Sequence, residues 1–220
     1  MKMSYSFSCL LLSLVFTFSQ SLKAQSQLGW RGPDRNGIYQ ETRLMQSWPE
    51  QGPDLVWETT DVGLGYSSPV IAGERFYITG MNSSRDREIF SAYSLNGEKI
   101  YETEYGSPWD ASYPETRTTP TIVGDRAWVI SGQGEVVCID ITNGDIVWKV
   151  EGGKIFERGT GRWGTAESPL VFDRKVIYTP GGDQTTMVAL NKQTGEPVWK
   201  SPPLGDNYGY VSPLLITHNG

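Results

Sequence analysis

The residue types that carry most enzyme chemistry are scarce in this chain, and those that carry recognition are grouped. His218 is the sole histidine. A Ser-His-Asp or Cys-His device is therefore disfavoured, because each needs an imidazole placed to move a proton. Cys9 and Cys138 are the two cysteines, too few ligands for a His/Cys zinc site. No Gly-rich loop leads from a strand into a helix, so no phosphate cradle is expected. What remains is a set of aromatic and charged side chains: Tyr66, Arg117, Trp163, Glu167 and Tyr210. Trp109, Tyr113, Phe156, Arg158, Arg162 and Tyr208 stand in the segments that feed them. Aromatic faces supply stacking area and Arg or Glu supplies orientation, a combination that suits a flat or sugar-like ligand. The same residues suit a second role, bridging neighbouring structural units, with Arg117 and Glu167 as an ion pair between them.

These residues sit at fixed offsets from a repeated motif. Ser68-Pro69-Val70-Ile71 returns as Thr119-Pro120-Thr121-Ile122, Ser168-Pro169-Leu170-Val171 and Ser212-Pro213-Leu214-Leu215. The four prolines lie 51, 49 and 44 residues apart. Such a period marks a unit that buries its apolar face only by stacking on copies of itself. Within the second unit, the runs Thr121–Val123, Ala127–Ile130, Glu135–Ile139 and Asp145–Val150 are separated by Gly124-Asp125-Arg126, a Gly-containing turn, and Thr142-Asn143-Gly144. Four short strands joined by short turns pair antiparallel. Asn96-Gly97 and Asn143-Gly144 suggest type I′ hairpins, which need φ > 0 at both central residues. No segment beyond the first 24 residues has a helical period. The expected fold is all-β: a β-propeller of four-stranded antiparallel blades, about three complete blades plus partial ones. The Pro-initiated strands would line its central channel. Tyr66, Arg117 and Tyr210 would share one level at the channel mouth, with Glu167 on the next.

The two ends carry separate signals. Lys2, the apolar run Leu10–Phe18 and Ala24 read as a secretory signal peptide over residues 1–24, too short in its apolar part to span a bilayer. This places the mature protein outside the cytoplasm, periplasmic or secreted, with no membrane span. Residues 25–54 form an N-terminal extended segment, and 55–220 a partial propeller. Leu55-Val56-Trp57 resembles the last strand of a unit, and Pro213 opens another, so the chain reads as the N-terminal part of a longer propeller. The formal charge is −6, with 25 acidic residues; removing Lys2 and Lys23 makes it more acidic still. A nucleic-acid partner is therefore disfavoured. With Cys9 gone, Cys138 has no partner for an internal disulfide.

The later part of each unit carries a narrower pattern. Cys138-x-Asp140-x-x-Asn143-Gly144-x-x-x-Trp148 is one copy and Ala189-x-Asn191-x-x-Thr194-Gly195-x-x-x-Trp199 another. Ala92 to Tyr101 is a third, one residue shorter before Asn96-Gly97. This pattern resembles the docking repeat of the pyrroloquinoline-quinone (PQQ) repeat propellers, the quinoprotein alcohol dehydrogenase-like superfamily. Trp30-Arg31-Gly32-Pro33-Asp34-Arg35-Asn36-Gly37 and Trp163-Gly164-x-x-Glu167-Ser168-Pro169 look like its PQQ-binding-like branch. The resemblance implies that Tyr101, Trp148 and Trp199 are structural docking residues, each packed against the adjacent blade, and that Cys138 is a small core residue. It also implies two functions. One is a non-catalytic scaffold that binds a protein or glycan. The other is a PQQ-dependent alcohol or polyol dehydrogenase, which would need calcium beside the quinone and a carboxylate base. No acid of this chain aligns with those calcium ligands, and the adjacent-cysteine pair of many such enzymes is absent, so in that reading the calcium and base residues lie in sequence beyond Gly220. A kelch-type interaction propeller, suggested by Gly181-Gly182, fits the hairpin-to-Trp spacing less well.

Overall fold

The computed structural model describes residues 28–159 and 161–218; the proposed signal peptide lies outside them. The described residues form three four-stranded antiparallel sheets. Blade 1 comprises β1 (Val70–Ala72), β2 (Arg75–Met81), β3 (Glu88–Ser94) and β4 (Lys99–Gly106). Blade 2 comprises β5 (Thr121–Val123), β6 (Arg126–Ile130), β7 (Val136–Asp140) and β8 (Ile146–Val150). A single helical turn, α1 (Gly152–Ile155), follows, where no helix was expected. Blade 3 comprises β9 (Leu170–Phe172), β10 (Lys175–Tyr178), β11 (Val188–Asn191) and β12 (Pro197–Lys200). In every sheet the strands lie in chain order, as a meander with short connections must place them. The Pro-initiated strands β1, β5 and β9 are neighbours across the sheets. Among the described residues this is the expected propeller architecture, in three blades.

The two largest hydrophobic cores lie between the sheets, and a third, Leu170, Ile177 and Ala189, belongs to blade 3 alone. Side chains alternate along a strand, so blade 2 feeds two cores. Ala127, Val129, Val137 and Ile139 face blade 1 and pack with Tyr77, Phe90 and Tyr105. Trp128, Ile130, Val136 and Cys138 face blade 3 and pack with Val176, Tyr178, Val188 and Leu190. This is why the middle strands of the sequence read as unbroken apolar runs. Burying one such side chain contributes roughly 1.5–3 kcal/mol.

The later hairpins differ from expectation. Gly97, Gly144 and Gly195 have φ of 85°, 86° and 76°, but Asn96, Asn143 and Thr194 are not among the positive-φ residues, so these are not type I′ turns. A side chain builds each turn instead. Asp140 Oδ1 accepts the Thr142 N–H at 2.9 Å, Asn191 Oδ1 the Gln193 N–H at 2.8 Å, and Ser94 Oγ the Asn96 N–H at 3.3 Å. These local acceptors stabilise a loop that a two-residue turn would not need. Across from the hairpins, Ala92 pairs with Tyr101, Cys138 with Trp148 and Ala189 with Trp199. The register slips immediately after each small residue, at Ala92/Tyr93, Cys138/Ile139 and Ala189/Leu190. Residues 55–57 and 213–217 form no ladder among the described residues.

Candidate channel-mouth site

The blades are held together at the rim and at the axis. At the rim, the aromatic of one unit reaches the hairpin of the next. Tyr101 OH donates to the Ile141 carbonyl at 2.9 Å, and Trp148 Nε1 to the Lys192 carbonyl at 3.0 Å. Trp57 does the same without a strand, donating to the Leu95 carbonyl at 2.8 Å and stacking on Phe76 with centroids 5.6 Å apart. The hairpin glycine is the floor under each ring. A Cβ on Gly144 would stand 2.6 Å from Tyr101 Cδ2, and one on Gly195 2.8 Å from Trp148 Cε3. The glycine thus serves the neighbouring ring as well as its own turn. Trp199, on the wholly exposed β12, has no such hairpin among the described residues.

At the axis, a hydroxyl precedes each proline for a reason the motif alone did not disclose. The Ser68 N–H donates to Thr119 Oγ1 at 3.1 Å, Thr119 N–H to Ser168 Oγ at 3.1 Å, and Ser168 N–H to Ser212 Oγ at 2.9 Å. Each unit therefore satisfies the backbone of the one before it. Residues 28–37 lie on the same inner strands. Leu28 exchanges backbone hydrogen bonds with Ile122 at 2.8 and 2.7 Å. Arg35, 4% exposed, donates to the carbonyls of Ser168 at 2.7 Å and Pro169 at 3.0 Å. Burial lowers its pKa to about 10, with Glu167 opposing that shift.

The residues singled out in the sequence fall into three places. Tyr210 and Trp163 meet, with ring centroids 5.3 Å apart. Tyr210 Oη accepts the Arg162 N–H at 2.8 Å and the Trp163 N–H at 3.3 Å, while the Arg162 guanidinium covers the indole at 5.4 Å. Beneath them Arg158 lies between the rings of Trp109 and Tyr208, at 5.6 and 5.0 Å. It donates to the Gly132 carbonyl at 3.1 Å and to Gln133 Oε1 at 3.3 Å. Tyr66 and Arg117 occupy the adjoining segment. The Tyr66 N–H donates to the Thr116 carbonyl at 2.7 Å. Its phenol engages Glu115, which raises its pKa. Arg117 holds the carbonyls of Tyr113, Glu115 and Ser112. Ser112 joins the two groups by donating to the Arg162 carbonyl at 2.6 Å.

Glu167 stands apart. It is 2% exposed and accepts the Thr179 N–H at 3.1 Å and its hydroxyl. The inter-blade ion pair expected between Arg117 and Glu167 does not form: Arg117 is committed to its own loop, and Glu167 faces the end of β10 with Arg35 nearby. Burial pushes the Glu167 carboxyl up to about 8, against the pull of Thr179 and Arg35.

Glu88 was missed, although an acid opening the apolar run Ile89-Phe90 is a visible anomaly. It is 1% exposed, accepts Tyr105 OH at 2.6 Å and the Gly132 N–H at 3.1 Å, and is likewise pushed to about 8 by burial. Glu135 shows the opposite balance. Burial raises its pKa, but Lys149 at 2.6 Å, Ser131 and the Ser107 N–H outweigh this and hold it below the usual range. The acids implied by a calcium–quinone centre are not gathered here. Among the described residues no three His, Cys, Asp or Glu side chains converge. Glu88 and Glu167 are separate and engaged elsewhere. They do not fit the multi-oxygen donor set that calcium requires.

The comparisons with known proteins agree with this architecture. The family profile described as outer membrane protein assembly factor BamB matches residues 38–213. BamB of Burkholderia pseudomallei (strain K96243) is 26% identical over 191 residues, covering 73% of this chain and 49% of the relative. The chain thus spans about half the length of that relative. Among solved structures, a europium-containing methanol dehydrogenase superposes with TM-score 0.51 at 15% identity, over 67% of this chain and 26% of that one. BamB of Moraxella catarrhalis gives TM-score 0.47 at 24% identity, over 67% and 39%. The dehydrogenase likeness concerns the fold alone.

Proposed function

We propose, from the premise that this chain belongs to the PQQ-repeat propeller family described as outer membrane protein assembly factor BamB, that it is a non-catalytic binding and assembly scaffold working outside the cytoplasm. The observation that supports this is the use to which its reactive groups are put. Glu88 bridges Tyr105 to a loop of blade 2, Arg117 ties down residues 112–115, and Arg158 is held between two rings. Each positions backbone or neighbouring blades. The partner class that family membership supports is another protein. No helix among the described residues is long and apolar enough to cross a membrane. The signal-peptide reading of residues 1–24 supports export.

The test is a pair of measurements on the purified protein and in its host. A site-specific photo-crosslinker at exposed Leu204 should give discrete adducts with an extracytoplasmic protein. Added PQQ and calcium should produce neither alcohol-dependent dye reduction nor a thermal shift. Dye reduction that requires both additions would replace the scaffold with the dehydrogenase.

A further inference from the structure

The channel mouth presents aromatic surface that the fold does not use. Tyr66 and Tyr113 are 63% and 68% exposed, Trp163 and Tyr210 39% and 38%. Native surfaces scatter single exposed aromatics; four linked through shared contacts are a patch. Two of the rings are fixed in orientation: Tyr210 by two backbone donors and Trp163 by the Arg162 guanidinium. Tyr113 has φ 44°, a left-handed conformation that costs a bulky residue on the order of 1–3 kcal/mol. With most of its surface in solvent, the side chain gains little packing to offset that. The polar groups between the rings are of both kinds. The Arg162 guanidinium has no hydrogen-bond acceptor among the described residues, and Glu115 offers a carboxylate beside Tyr66.

Charge narrows the ligand. The chain as a whole is acidic, at −6, which repels an anionic partner at long range. The arginines at the mouth repel a cationic one at short range. A neutral ligand rich in hydroxyls meets neither penalty. It can accept from Arg162, donate to Glu115 and lay its C–H faces on the rings. We propose that the channel mouth is a binding platform for neutral saccharide chains, with Trp163, Tyr210 and Tyr66 as stacking surfaces and Arg162 and Glu115 as hydroxyl partners. This site is independent of the scaffold reading and would stand if no protein partner were found.

Affinity electrophoresis of the whole protein in gels containing hydroxyethylcellulose, xylan, galactomannan or dextran tests it. At least one polymer should retard the protein. Trp163→Ala and Tyr66→Ala should each weaken retardation at least tenfold while melting within 2–3 °C of the parent, an effect of roughly 1.4 kcal/mol or more on binding. Tyr39→Ala, an exposed aromatic on the N-terminal segment, should bind as the parent does. A free hexasaccharide of the retarding polymer should compete, which separates recognition of single chains from entanglement with the gel matrix. The proposal is overturned if none of the four polymers retards the protein, or if retardation survives both mouth substitutions. It is equally overturned if the mouth variants lose photo-crosslinking to a protein while polymer binding is absent, since the patch would then be a protein interface. Should Trp163→Ala misfold, Trp163→Phe and Arg162→Gln carry the same comparison.

Discussion

The rim and the axis join the same blades by different physics. At the rim a large ring settles on a glycine, and the join is mostly apolar contact with one hydrogen bond from Tyr101, Trp148 or Trp57. At the axis a serine or threonine hydroxyl accepts the N–H of the preceding unit, and Arg35 binds the carbonyls of Ser168 and Pro169. The rim join depends on shape, so it tolerates little change in volume. The axis join depends on one acceptor, so it is cheap to lose singly and gains its worth by repetition.

That contrast can be broken most forcefully at Trp148, which is 9% exposed. Trp148→Ala is expected to cost about 4 kcal/mol in denaturant unfolding; a loss below 1 kcal/mol would mean the rim does not carry the join. Gly144→Ala attacks the same contact from the other side. It combines an unfavourable φ with a Cβ 2.6 Å from Tyr101, and about 3 kcal/mol is expected. In the double variant Gly144→Ala/Tyr101→Ala the clash with the ring should disappear while that with Thr103 Oγ1, 2.8 Å away, remains, leaving the two changes non-additive in the same titration.

Titration should separate the two regions. Glu88 and Glu167 have folded pKa values near 8, raised from 4.5. The folded state then holds protons that the unfolded state has released, so their stabilisation is complete below about 4.5 and is lost as pH rises toward about 8. In Glu88→Gln the slope of stability against pH should shrink, whereas in Trp148→Ala it should be unchanged. An unaltered slope in Glu88→Gln would remove that acid from the account. Thr119→Ala deletes one axial acceptor and should cost about 1 kcal/mol; a cost equal to that of Trp148→Ala would erase the distinction between the regions. The smallest effect is expected at Cys138, 1% exposed, where burial raises the thiol pKa to about 12. A disulfide reagent should leave it unmodified in the native protein and react on unfolding.

How much of this was legible in the sequence follows the same division. The rim was readable because a ring and a glycine at constant spacing are rare by chance, and Ala92, Cys138 and Ala189 marked the small residue opposite each ring. The axis was half readable. The prolines announced the repeat, but the hydroxyls before them looked like ordinary turn residues, since what they accept from lies about 50 residues away. Asn-Gly suggested the wrong turn, because Asp140, Asn191 and Ser94 hold the loop from the strand end rather than from its tip. At the mouth, alignment on the prolines put Tyr66, Arg117 and Tyr210 on one level, with Glu167 on the next. Glu167 precedes β9 and is buried against Thr179 instead. Arg35 was invisible because a local motif does not reveal a contact with residues 168 and 169.

Because the two largest cores lie between sheets, blade 2 belongs to both of them at once. It has no interior of its own to retain if either neighbour is withdrawn. The protein should therefore lose structure from its outer sheets toward blade 2, with amide protons of β6 and β7 exchanging last. Stability in such a stack is a property of adjacency, and the fewest residues that can hold a shape are two neighbouring sheets rather than one.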